Sequence, residues 1–266
     1  MGTITKALEI LSYFSSSTPA LGLSEVVRRS GRDKATVHRH LVELQENGFL
    51  EQHPETRAYR LGPAILRLAA VREATMPVRS VVRPIVEALS RDVGELVHFS
   101  LLQGKVLSAV CHADPGHHGT QVHFDTSEVL PLHATSSGLA VLAFGPQSLR
   151  DEVLKAPLAP HAKGTITDPQ DLLKALEDVR ARGYGVSDQT FDDEVASLAV
   201  AVYGPEGHVT GALAIAVPMA RMTPEKRKAA FAALRIGVQQ VCAAIGGTIP
   251  QQITNAWASE TPTSTS

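Results

Sequence analysis

Leu23-Ser24-Glu25-Val26-Val27-Arg28-Arg29-Ser30-Gly31-Arg32-Asp33-Lys34-Ala35-Thr36-Val37-His38-Arg39-His40-Leu41-Val42-Glu43-Leu44 is the stretch whose periodicity settles the architecture. Leu23, Val26 and Val27 predict a short helix that starts near Ser24 and stops at Ser30-Gly31, where glycine can take the left-handed conformation of a tight turn. Asp33 stands where an N-cap belongs, and Val37, Leu41 and Leu44, at i, i+4 and i+7, predict a further helix that Gly48 ends. Two short helices across a glycine turn have helix-turn-helix spacing. With Val37, Leu41 and Leu44 inward, the opposite side carries Ala35, Thr36, Arg39 and Val42, with Lys34 and His38 on its flanks. Such a face suits a DNA groove: Arg39 can donate two hydrogen bonds to guanine, Thr36 can meet a phosphate or a thymine methyl, and the small Ala35 permits close approach.

Working outward, Ile4, Ala7, Leu8, Leu11 and Phe14 form an apolar stripe of helical period that ends at Ser15-Ser16-Ser17-Thr18-Pro19. Downstream, Phe49-Leu50-Glu51-Gln52 and Ala58-Tyr59-Arg60-Leu61 flank Pro54-Glu55-Thr56-Arg57 and predict a β-hairpin wing with Arg57 near its tip as a phosphate contact. The whole chain carries 25 Lys and Arg against 27 Asp and Glu, a net charge of -2, which by itself argues against a polyanion partner. The charge is uneven, however. Residues 1–75 hold ten basic and eight acidic residues, leaving fifteen against nineteen elsewhere, and within 28–40 Arg28, Arg29, Arg32, Lys34 and Arg39 face only Asp33. Because attraction to a polyanion acts within a Debye length of roughly 8–10 Å, local charge is what counts, and Arg32 joins the candidate DNA contacts.

The chain of 266 residues, 44% hydrophobic and 20% charged, has room for two modest cores and is neither collagenous nor disordered in composition. It has no apolar run near the roughly 18–20 residues that cross a bilayer, and no signal-peptide layout, so the expected location is the cytoplasm. Cys111 and Cys242 lack CxxC spacing, excluding a disulfide framework or a four-cysteine zinc site. Cys111, His112, Asp114, His117, His118 and His123 crowd one segment and leave a metal-responsive sensor as an alternative, although their spacing fits no closed zinc site. No GxSxG, HExxH or P-loop occurs, so no catalytic residue and no cofactor is expected, and a metabolic enzyme is the other alternative.

Beyond residue 62 the pattern changes. Pro63 with Leu66, Leu68 and Ala69 predicts a connecting helix, and Met76-Pro77 ends it. A helix over 78–93 is followed by strand-like runs at 96–102, 106–111 and, shorter, Gln121-Val122-His123-Phe124. Asp168-Pro169 opens a helix that Gly183 closes; Ala196 to Tyr203 and His208 to Val217 form a strand pair around Gly204-Pro205-Glu206-Gly207; Thr223-Pro224-Glu225 opens a last long helix. Strands in hairpin pairs with intervening helices predict an α+β domain with a largely antiparallel sheet. Pro131-Leu132-His133-Ala134-Thr135 leads into an apolar helix from Ser136 to Phe144, whose first backbone N–H groups can bind an anion without basic side chains. Residues 250–266, with no Lys or Arg and little apolar material besides Ile253 and Trp257, are expected to be a disordered tail.

These motifs in order, Thr36-Val37-His38-Arg39-His40-Leu41, Asn47-Gly48-Phe49-Leu50, Tyr59-Arg60-Leu61-Gly62, Leu130-Pro131-Leu132-His133-Ala134-Thr135, Gly183-Tyr184-Gly185-Val186-Ser187-Asp188 and Leu213-Ala214-Ile215-Ala216-Val217-Pro218, resemble the IclR-type bacterial transcriptional regulators. The resemblance covers nearly everything before about residue 248. It implies a winged helix-turn-helix domain (1–62), a linker helix (63–76) and a GAF/profilin-like antiparallel-sheet effector-binding domain (77–249). It also implies double-stranded operator DNA and a small organic-acid effector as partners, in a homodimer or a dimer-of-dimers tetramer. In that family the turn at Ser136 and Ser137 receives the effector's carboxylate. This chain departs from the family's small-keto-acid sensors, with Ser187 for an aspartate, Ser197 for a cysteine, and Ala214 and Ala216 for serines. The lost hydroxyls disfavour a compact polar ligand, since an unpaired buried polar group costs about 1–3 kcal/mol, and favour an apolar or aromatic body against the two alanines.

Overall fold

The computed structural model describes residues 2–259, and the chain divides into two compact units that join at Pro77 and Val78. In the first unit, α1 (Thr3–Leu11), α2 (Leu23–Ser30) and α3 (Lys34–Glu46) precede a two-stranded hairpin, β1 (Leu50–Gln52) and β2 (Tyr59–Leu61), and then α4 (Ala64–Thr75). Gly31 ends α2 at φ 63°, and the Asp33 carboxylate caps α3 by accepting from the Thr36 N–H. Ile10, Val26, Val37 and Leu41 are wholly buried, each contributing roughly 1.5–3 kcal/mol of transfer energy. Leu21 and Tyr59 exchange two backbone hydrogen bonds, which tie the hairpin to the entry of α2.

The stripe expected on α1 is set one step differently. Ile4 and Leu8 are 76% and 56% exposed, whereas Ile10 and Phe14 are buried with Ala7 and Leu11 half-buried beside them. Both sets share the helical period, and Ile10, which the first set omits, decides which of them faces the core.

The second unit begins with α5 (Val78–Val93), β3 (Leu96–Gln103), β4 (Val106–Ala113), β5 (Val129–Pro131), α6 (Ser136–Phe144), α7 (Gln147–Leu154) and α8 (Pro169–Arg182). It continues with β6 (Gly185–Asp188), β7 (Val195–Tyr203), β8 (Val209–Pro218), α9 (Pro224–Ala244) and α10 (Gln251–Ser259). The strands form one antiparallel sheet in the order β5-β4-β3-β8-β7-β6. One core joins the sheet to α5 and α9 through Val82, Val86, Phe99, Leu234 and Val238; another joins it to α6 and α8 through Leu107, Leu139, Leu142, Leu172 and Leu176. The fold is thus α+β, a helix-turn-helix unit followed by an antiparallel sheet with helices.

Two expectations fail here. Residues 121–124 form no strand: β5 already occupies that edge of β4, and Val122 and Phe124 alternate inward against side chains rather than in a ladder. Residues 251–259 form α10 instead of a disordered tail. The two apolar side chains set aside as too few anchor it, Ile253 and Trp257 each being 1% exposed. The Trp257 indole donates to the Gly183 carbonyl at 3.0 Å and meets Phe231 edge-on. Residues 260–266 of that expected tail lie outside the described residues.

Candidate functional site

Two features with opposite burial stand out, one in each unit. On α3, Lys34, Ala35, His38 and Arg39 are exposed and Thr36 and Val42 half-buried, while Val37, His40, Leu41 and Leu44 point into the core. Neither Lys34 nor Arg39 has an ion-pair partner among the described residues. The other cations of the basic segment are committed elsewhere. Arg28 and Arg29 both bind Glu25. Arg32, expected to face DNA, turns inward instead: its guanidinium meets Glu9 of α1 and its side chain is only 17% exposed. The Arg32 and Tyr13 hydrogen bonds hold the Glu9 carboxyl below its ordinary range, so Arg32 is a clasp between α1 and the turn before α3. On the hairpin, Arg60 pairs with Glu51, whereas Arg57 is exposed in the left-handed region at φ 57°, its carbonyl held by the Gln52 amide.

The second feature is a cavity of about 310 Å³ on the α6 side of the sheet. Its inner end is the start of α6. Thr135 caps the helix by accepting from the Gly138 N–H, and by helix geometry the N–H groups of Ser136 and Ser137 have no intrahelical acceptor. Close packing fixes this turn: a Cβ on Gly138 would lie 2.3 Å from the Leu132 carbonyl oxygen, and one on Gly185 2.2 Å from that of Ser136. Ser136 and Ser197 share one hydrogen bond across 2.7 Å, while the Ser137 hydroxyl, in a residue 1% exposed, has no hydrogen bond among the described residues.

Of the expected effector contacts, Ser136, Ser137, Ser187, Ser197 and Ala216 line this cavity together. Ala214 does not. It is fully buried, paired in register with His98 and Ala199, one pleat removed from the open space. Missed by sequence reasoning were His98, Thr135, His161 and Phe191, together with an acidic mouth of Asp125, Glu128 and Asp192. His98 had a readable signal, since polar His98 and Ser100 alternate with apolar Val97 and Phe99 along β3. His98 stacks on Phe124 at 4.6 Å, and burial, with His112 nearby, pushes its pKa down to about 4. No Lys or Arg lines the cavity.

The segment 111–123 does not converge. Cys111 is in the core with α5 and α9, His118 lies 3.9 Å from Glu95, and no group of three His, Cys, Asp or Glu among the described residues is placed to hold a metal ion. No helix among them is long and apolar enough to cross a membrane.

Residues 72–243 match the family model of the bacterial transcriptional regulator IclR C-terminal domain, and residues 3–54 that of the IclR helix-turn-helix domain. A candidate IclR regulator of known structure from Silicibacter sp. TM1040 is 45% identical, with a TM-score of 0.86 over 94% of this chain and 99% of that one. The transcriptional regulator KipR of Bacillus subtilis is 28% identical over 84% of this chain and 89% of its own. An IclR homologue from Microbacterium hydrocarbonoxydans, solved with 4-hydroxybenzoate, is 25% identical, with a TM-score of 0.71 over 91% of this chain and all of that one.

Proposed function

This chain belongs to the IclR family of bacterial transcriptional regulators, and from that membership we propose that it grips operator DNA with α3 and adjusts that grip through a small organic acid held in the second unit. Lys34, Ala35, Thr36, His38 and Arg39 form the groove-facing side, with Arg39 reading a base edge and Arg57 touching phosphate. The observation that carries this reading is that Lys34 and Arg39 are left without acidic partners while their basic neighbours Arg28, Arg29 and Arg32 are all paired. The acid's carboxylate is received by the Ser136 and Ser137 amides and the Ser137 hydroxyl. Its apolar or aromatic body lies toward Ala216, Phe124 and Phe191, with Ser187 and Ser197 beside it. The 4-hydroxybenzoate held by the Microbacterium hydrocarbonoxydans homologue supports an aromatic acid.

The working species is a cytoplasmic homodimer or dimer of dimers. Paired helix-turn-helix units need half-sites near a multiple of one DNA turn, roughly 34 Å, so a ligand that favours one packing of the second unit changes affinity by changing how the recognition helices are presented. The helix near 63–76 is the covalent route for that change. Protection mapping of the DNA upstream of its own gene, with and without a panel of aromatic acids, tests the proposal. A defined protected segment whose occupancy responds to an acid is expected; turnover of the acid without protection would replace this reading with an enzyme.

A further inference from the structure

His98 offers the cavity a second fixed donor, set apart from the start of α6. The residue is 6% exposed, stacks on Phe124 and lines the same cavity as Ser136 and Ser137. Its Nδ1 lies 3.3 Å from the hydroxyl of Ser100, a residue that is wholly buried. That hydroxyl has no other acceptor among the described residues, so its proton points to Nδ1 and the ring's own proton is left on Nε2. Burial, with His112 nearby, lowers the ring's pKa to about 4, so at neutral pH it carries that one proton only. Nε2 has no hydrogen-bond partner among the described residues, yet it is not sealed in by protein as both ring nitrogens of His40 are; its open side is the cavity. The sheet register sets how far this donor stands from the α6 amides. Ser197, whose hydroxyl meets that of Ser136, lies opposite Ala216 on β8, and Ala216 lies opposite Leu96 on β3. Opposed residues and every second residue share a face, so His98 follows Leu96 on the same side of β3. Two strand spacings, about 10 Å, thus separate the strand of Ser197 from that of His98. One aromatic ring with a substituent at each end suits that span.

We propose that His98 reads the far end of the effector by donating its Nε2–H to an uncharged oxygen, so that the ligand is a monocarboxylic acid bearing a hydroxyl, keto or ether oxygen across the ring from its carboxylate. The inference rests on the organic-acid reading above and adds the group at the other end. An alkyl group in that place would leave a buried N–H unanswered, which costs more than the bond itself is worth. A second carboxylate would find no Lys or Arg and would share the cavity with Asp125, Glu128 and Asp192.

Calorimetric titration of the full chain tests it with 4-acetylbenzoate, its near-isostere 4-isopropenylbenzoate without the oxygen, terephthalate with a second carboxylate, and 4-methylacetophenone without the acid. 4-Acetylbenzoate is expected to bind about tenfold more tightly than 4-isopropenylbenzoate, as one hydrogen bond in a desolvated site gives, and more tightly than terephthalate. His98→Phe keeps a ring against Phe124 but removes the donor, and should bring the ratio of the two benzoates near one. His98→Gln, whose amide can donate from a similar place, should retain part of the preference. Ser137→Ala should weaken both benzoates and leave their ratio intact. Equal or tighter binding of 4-isopropenylbenzoate overturns the role of His98 alone, as does a ratio that survives His98→Phe or terephthalate binding best. If none of the acids binds, or 4-methylacetophenone binds best, the organic-acid reading falls with it.

Discussion

Helices α3 and α6 begin in the same way and end up doing opposite things. Each is capped by a side-chain oxygen that accepts the N3 amide, Asp33 from Thr36 and Thr135 from Gly138. Beyond the cap they diverge. α3 buries one stripe and leaves Lys34, Ala35, His38 and Arg39 to solvent, whereas all of α6 from Ser136 to Ala143 is buried. A helix with a wet face recognises through side chains; a helix with none can offer only its open end. Under the proposed reading, one capping device serves a polyanion outside the protein in the first unit and a single small ligand in the second.

The strongest way to break this contrast is Gly138→Ala. Its new Cβ would be driven into the Leu132 backbone, costing on the order of 3 kcal/mol or more and abolishing acid binding. Calorimetry should show the second unit melting earlier, and an unchanged melt would mean that the α6 turn is not tightly set. Next comes pH. His98 has its pKa lowered from 6.5 to about 4, so the unfolded chain binds the proton more readily than the folded one. Its contribution is therefore complete above pH 6.5 and is lost as pH falls toward 4, by up to roughly 3 kcal/mol. His112 and His161, lowered by burial, act in the same direction. Denaturant midpoints of the second unit should fall across that window, and His98→Phe should flatten the slope.

On the α3 side, Arg39→Ala should cost about 1–3 kcal/mol on operator DNA and relax preference at one base position, while Arg57→Ala should weaken all sequences alike. Equal loss for Arg39→Ala on operator and random DNA would remove its base-reading role. The smallest effects should come from the caps. Asp33→Ala removes one hydrogen bond to an amide, worth about 1 kcal/mol, whereas Thr135→Ala removes that kind of bond and also the one its hydroxyl donates to the Pro131 carbonyl, so it should cost somewhat more. If the contrast holds, thermal melts will place the first loss in the helix-turn-helix unit and the second in the sheet unit.

Much of this was readable because helix ends are local chemistry. Gly31, Asp33, Asp168 and Gly183 stand at their expected caps, and Ser136–Phe144 has the bounds that composition suggests. What escaped was non-local. Arg32 counted as a free cation because its partner, Glu9, lies 23 residues earlier on another helix. The cavity draws on β3, β7, β8, α6 and the loops around 122–128 and 190–192, so no single window shows that His98, Phe124 and Asp192 share a wall. Ala214 was misplaced because alternation reports the face of a strand but not where along it the space opens. Trp257 was discounted in a sparse segment, although one indole that fills the gap over Gly183 suffices to dock a helix.

The central claim is that occupancy of the second unit's cavity sets the affinity of α3 for DNA. Titrating the protected operator fragment with the full chain, empty and then saturated with whichever benzoate probe binds, measures that coupling directly. The account predicts a shift of at least about fivefold in operator affinity, and, by linkage, an equal shift in acid affinity when DNA is bound. An operator affinity unmoved by a calorimetrically confirmed full cavity would contradict it.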